Sequence, residues 1–280
     1  MLKPLLFLSF LILNVMEKNA QNNDFQAGLY NVVSGSIIGG AGALINKKPN
    51  EKMGNVLLKG LGQGALGGYI TFESKKLIRN FAKTGNYAYV WPSRLVNSLG
   101  NSVILNAASN RNFWERYYLD IGFGHFEYDI MKEKGISARI MPFSLFGAIN
   151  MFSYGKLDLK RSIYTGLFFF KSNESEENDG WAIYNNITIH ENLLKNRSEV
   201  IAHEIIHAYQ YEGFIGVNSF VDKPSSMWDQ SKFWKTYDSI FYTDFNGPLH
   251  NLLYALDKGF NKPHGDRLHE REAIYFSSHN

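Results

Sequence analysis

No cysteine occurs among the 280 residues. That absence excludes a disulfide framework, an iron–sulfur site, thiolate metal ligands and a lipid-modified N-terminal cysteine. Any metal must therefore be held by His, Asp or Glu. Nor does one sign of charge dominate: 29 Lys and Arg stand against 26 Asp and Glu, interspersed, for a net charge of +3. No basic face is large enough for nucleic acid, and that class of function is set aside. Apolar residues at 45% and charged residues at 20% are ordinary for a globular chain, and the length suffices for one or two domains with a sizeable core.

The first twenty residues read as an export signal. Lys3 supplies a positive start, Leu5 to Met16 is nearly all apolar, and Ala20 precedes the polar run Gln21-Asn22-Asn23. The expected location is outside the cytoplasm: periplasmic, secreted or membrane-associated. Lys18 is a poor fit to the small-residue rule for cleavage after Ala20, so an uncleaved anchor is the alternative.

Charge is also missing from Phe25 to Asn46, a stretch that carries Gly28, Gly35, Gly39, Gly40 and Gly42. After a polar break, Met53 to Phe72 carries Gly60, Gly64 and Gly68 at every fourth position, which puts bare backbone on one helix face. A tightly packed helical hairpin is expected. Residues 25–72 are long and apolar enough for membrane association, but Asn31, Asn55, Lys59 and Gln63 would be unfavourable in hydrocarbon. Soluble packing is the preferred reading. The cluster Lys75, Lys76, Arg79 and Lys83 reads as a solvated helix face. Trp91-Pro92 marks a break, and helical spacing resumes from Ser93 to Ser109.

From Tyr117 aromatic and β-branched residues alternate with polar ones, again in Ile136 to Phe152, Lys156 to Lys171 and Trp181 to His190. This predicts an antiparallel sheet of about four or five strands. No catalytic pattern lies in it, and His125 and His190 read as structural. Helix returns after it, with Asn196 and Glu199 spaced as a capping box and Gly213 placed to end the helix. The fold class is thus α+β. The expected parts are a signal peptide (1–20), a Gly-rich helical region (21–112), an antiparallel β region (113–190) and a helical region (191–280), the last two forming one domain.

That final region contains His203-Glu204-Ile205-Ile206-His207. Four residues is close to one helical turn, so the two imidazoles share a face and can meet one zinc ion about 2.0–2.1 Å away. Glu204, next to the first ligand, is rotated toward the open coordination position, where it can act as a general base on water. A third protein ligand is still required. The positions where a metzincin would carry Gly and His hold Gln210 and Gly213, which closes that route.

About sixty residues downstream, Glu270-Arg271-Glu272-Ala273 lies on a predicted helix. HExxH followed by Glu-x-x-Ala resembles the gluzincin branch of zinc metallopeptidases, over the last eighty or so residues. The resemblance implies zincin-like helices, one Zn2+, a peptide or protein substrate, Glu204 as catalytic base, and His203, His207 and Glu270 as metal ligands. It also implies that the last strand of the β region, Asn185 to His190, lines the cleft edge and pairs with an extended substrate. Glu272 is the rival third ligand. An Asp often follows the Ala in such enzymes and orients a ligand imidazole; Ile274 stands there instead, leaving that partner unassigned. The segment His207 to Tyr211, His-Ala-Tyr-Gln-Tyr, is also similar to a group of exported bacterial proteins whose HExxH helix continues into an aromatic-Gln pair. Oxyanion-stabilising candidates are Tyr242, His250, Tyr254, His264 and His269. The rival functions are a structural or vestigial zinc site tying the C-terminal helices together, and a membrane or partner role for the Gly-rich hairpin. The sequence carries no signal for oligomeric state.

Overall fold

The computed structural model describes residues 23–172, 179–194, 197–221, 231–259 and 263–278. The predicted signal segment and Asn196 of the predicted capping box lie outside them. The chain is a mixed α+β structure, mainly helical with small sheets.

Helices α1 (Asp24–Ile45) and α2 (Met53–Thr84) form the expected hairpin, and α3 (Val90–Ala108) packs along it. Glycine is required at the crossing. A Cβ on Gly39 would stand 2.5 Å from the Gly60 carbonyl oxygen, and one on Gly60 2.6 Å from that of Gly39. Backbones this close leave no room for a side chain, which is why the glycines recur with a four-residue step. Half of the most apolar window of α1 is buried against protein. Pro92 does not precede α3 but sits in its first turn, where the missing N–H has no helical partner to lose.

The β region differs from the expected single antiparallel sheet. Strands β1 (Arg116–Ile121), β2 (Gly124–Asp129) and β3 (Ile136–Ile140) make one antiparallel sheet. Strands β4 (Lys156–Leu157), β5 (Phe168–Ser172), β6 (Gly180–Ile183) and β7 (Asn186–His190) make a second, in the order β4-β5-β7-β6, with β5 and β7 parallel. Two stretches read as strand are helical. Helix α4 (Pro142–Tyr154) begins on a proline and buries Ser144, Gly147, Ala148 and Met151, a helical spacing masked by mostly apolar neighbours. Helix α5 (Leu159–Thr165) is capped by the Asp158 side chain and stopped by Gly166 in the left-handed conformation, φ 69°.

Helix α6 (Ser198–Gly213) ends at Gly213 as expected and lies between the hairpin on one side and strands β6 and β7 on the other. Among the described residues no side chain caps its start: Glu199 forms an ion pair with Arg197, and Ser198 Oγ donates to the Ala82 carbonyl. A 3₁₀ segment (Ile215–Val221) and helices α7 (Lys232–Ile240), α8 (Asn246–Gly259) and α9 (Leu268–Ser277) complete the fold. One core joins α1 and α2 to strands β5 and β7 and to α6 and α9, from Ala27 and Phe72 through Phe169 and Ile189 to Ile205, Ala273 and Phe276. The N-terminal helices and the helices bearing the candidate site therefore share the same packing.

Candidate metal centre

Burial of Ile201, Ile205 and Ile206 fixes the rotation of α6 and turns the opposite face, with His203 and His207, toward a cleft. Helix α9 packs across α6 and brings Glu270 to the same point. The geometry is tight. His203 Nε2 and His207 Nε2 are 3.1 Å apart, and Glu270 Oε2 is 3.2 Å from the first and 3.4 Å from the second. Donors at 2.0–2.1 Å around a tetrahedral ion are separated by about 3.3–3.4 Å. The three atoms thus outline one face of such a tetrahedron, and no other described group of His and carboxylate donors converges in this way.

Electrostatics support the same fit. Burial alone would raise the Glu270 carboxyl, but His203 and His207 hold it well below the usual carboxylate range. Burial would lower the His207 imidazole, yet its bond to Glu270 and the nearby Glu204 charge push it up to about 9. A cation is favoured at this point whether carried by protons or by a metal, and a metal would displace the protons.

Glu204 is 4% exposed and borders the same cleft. Its Oε2 is buried without a hydrogen-bond partner among the described residues, and burial raises its carboxyl above the ordinary range. A raised, unpartnered carboxylate at a cleft wall suits proton transfer rather than structural pairing.

The cleft, about 790 Å³, is walled by β6, α6 and α8. The edge strand beside it is β6, with Trp181, Ala182 and Ile183 on its rim. This corrects the expectation for Asn185 to His190: β7 is hydrogen-bonded on both sides, to β5 and β6, and cannot receive another strand. Its pattern reads as an edge because Asn186, Thr188 and His190 are polar. In fact Asn186 and Thr188 are buried, bonded to the Ser144 carbonyl and Met151 Sδ.

Glu272, the rival ligand, faces the other way. Lys75 Nζ at 2.6 Å and Asn31 Nδ2 at 2.8 Å donate to its Oε1, and Gln210 Nε2 at 3.0 Å donates to its Oε2. Lys75 is therefore buried rather than part of a solvated face. The partner of one candidate ligand imidazole is Gln210, whose Oε1 is 2.9 Å from His207 Nδ1. Its position one helical turn after His207 was a readable signal. The roles of Asn31 and Lys75 had none.

The oxyanion candidates separate clearly. Tyr254 lines the cleft and donates to Glu270 Oε1 at 3.3 Å; His264 Nε2 is 3.4 Å from the same oxygen. His250 also lines the cleft, with a buried Nε2 that has no partner among the described residues, and burial together with the charges of His269 and His207 keeps its imidazole well below the ordinary value. His269 is buried among His250 and Tyr254, with Asp257 3.9 Å from its Nδ1, and does not line the cleft. Tyr242 lies elsewhere, stacked on His125 at 3.8 Å. His125 is itself buried and bonded to Asp120 at 2.6 Å, in keeping with its structural reading.

No known protein family, curated protein or solved structure matches the chain, so its chemistry is argued from this geometry alone.

Proposed function

We propose that this protein is an exported zinc-dependent peptidase. The observation that carries the reading is the triangle of His203 Nε2, His207 Nε2 and Glu270 Oε2, with edges of 3.1–3.4 Å, set beside a buried and unpartnered Glu204 carboxylate at an open cleft. Three protein donors with open space beyond them is the arrangement of a catalytic zinc site, whereas structural sites fill all four positions. His264 does not complete a structural site, since it meets the opposite carboxylate oxygen, Oε1, and is 59% exposed.

A bound zinc would supply a Lewis acid that acidifies water and polarises a carbonyl. The chain's own residues supply the rest. Strand β6, at the edge of its sheet among the described residues, offers backbone groups to an extended peptide and so orients the scissile bond. Glu204 takes a proton from the attacking water and passes it to the leaving amine, a transfer helped by its raised proton affinity. Tyr254 and His250, one turn apart on α8 and lining the cleft, would donate to a developing oxyanion, Tyr254 by turning its O–H away from Glu270 Oε1.

The test is metal analysis of the purified protein with peptide hydrolysis. One zinc per chain and chelator-sensitive cleavage are expected. In Glu204→Gln the zinc should remain and hydrolysis fall by about 10²–10⁴-fold. Full activity in that variant refutes the mechanism.

A further inference from the structure

We infer that Gln210 selects which nitrogen of His207 is offered to the metal, and that the N-terminal hairpin holds Gln210 in place through Glu272. The inference rests on reading His203, His207 and Glu270 as a metal site.

The argument turns on the orientation of one amide. The Gln210 side chain has two N–H donors and one oxygen. Its nitrogen is 2.8 Å from the His269 carbonyl oxygen and 3.0 Å from Glu272 Oε2, both of which can only accept. Turning the amide over would set its oxygen against two other oxygens, one of them a carboxylate. The nitrogen is thus committed, and Oε1 must face His207 Nδ1 at 2.9 Å. An oxygen there requires that Nδ1 carry the proton. In the neutral ring Nε2 then holds the free lone pair, and Nε2 is the atom that meets His203 and Glu270.

Glu272 can anchor the amide only because its own oxygens are fixed. Lys75 Nζ and Asn31 Nδ2 both donate to Oε1, and Lys75 Nζ also donates to Asn31 Oδ1 at 2.9 Å. All four side chains are buried. Asn31 belongs to α1 and Lys75 to α2, so a continuous chain of hydrogen bonds joins the Gly-rich hairpin to the imidazole. Gln210, Glu272, Lys75 and Asn31 are positioning residues; none of them touches the cleft. The hairpin is in this sense a structural part of the metal centre, beyond any role at a membrane.

The test uses the full chain loaded with zinc. Chelator competition compares the native protein with Gln210→Met, which keeps the side-chain length and removes the acceptor. Circular dichroism checks that both are folded. The expected result is a 10–100-fold weaker zinc affinity in the variant. Nitrogen-15 spectra of the imidazoles in the zinc-loaded native chain provide a readout that needs no variant: the single His207 proton should sit on Nδ1, hydrogen-bonded and slow to exchange. Native zinc affinity in folded Gln210→Met, or a zinc-loaded His207 whose proton is on Nε2, overturns the inference while leaving the metal site standing. A native chain that takes up no zinc at all removes the metal reading and this inference together.

Discussion

Replacing Lys75 by Met tests whether the buried network stabilises the fold as its geometry implies. Lys75 Nζ and Glu272 Oε1 are 2.6 Å apart, with side chains 4% and 1% exposed. Removing the cation leaves the Glu272 carboxylate buried with only the Asn31 and Gln210 amides. Breaking one side of a buried pair costs about 3–5 kcal/mol, because the remaining charge is uncompensated. For a chain of this size that corresponds to a fall in Tm of roughly 6–20 °C. The pH dependence follows from Glu272. In the native protein burial opposes ionisation, but Lys75, Asn31 and Gln210 hold the carboxyl below its ordinary value. Its stabilising effect is therefore present at all pH above the ordinary carboxylate range and is lost only in acid, as pH falls through the lowered pKa. Without Lys75, burial dominates and the folded-state pKa rises. The folded variant then binds a proton more readily than the unfolded chain, so its deficit is greatest at neutral pH and shrinks toward pH 5. Lys75→Met combined with Glu272→Gln removes both charges and should recover most of the loss. Urea unfolding of the three proteins at pH 7.5 and pH 5 measures this. A Lys75→Met protein within 1 kcal/mol of native at pH 7.5 would refute the argument.

Three further outcomes are expected. His203→Ala and Glu270→Ala should each lose stoichiometric zinc on metal analysis, and stoichiometric zinc in both would sink the ligand assignment. Zinc affinity should rise with pH: His207 is protonated up to about 9 in the metal-free protein, so each proton displaced makes affinity roughly tenfold weaker per unit below that value. The same group stabilises the metal-free fold fully below about pH 6.5 and ceases to do so as pH rises through 9. Affinity independent of pH between 6 and 8 would contradict it. Gly39→Ala should destabilise by about 1–3 kcal/mol in urea unfolding, since the new methyl would lie 2.5 Å from the Gly60 carbonyl oxygen and the helices must part.

Local periodicity made the helical parts legible. The glycine spacing announced a close helix pair, and the four-residue step between His203 and His207 put two imidazoles on one face of a helix whose buried Ile residues fix its rotation. The β region was less legible. In α4 the helical spacing of Ser144, Gly147, Ala148 and Met151 was hidden because most residues between them, Leu145, Phe146 and Ile149, are apolar too, so alternation and helical period looked alike. The sheet order, with β5 and β7 parallel and β6 at the edge, has no signal in any one strand.

By itself, then, the sequence determined that any metal would sit on nitrogen and oxygen donors, and that His203 and His207 would stand together, because a helix repeats every 3.6 residues wherever it is placed. Tertiary structure alone decided between Glu270 and Glu272. Both lie on α9, and which carboxylate meets the imidazoles depends on how that helix is rotated against α6. The rotation is set by Ala273 and Phe276 in the core, and by a lysine and an asparagine some two hundred residues away that claim Glu272 for themselves.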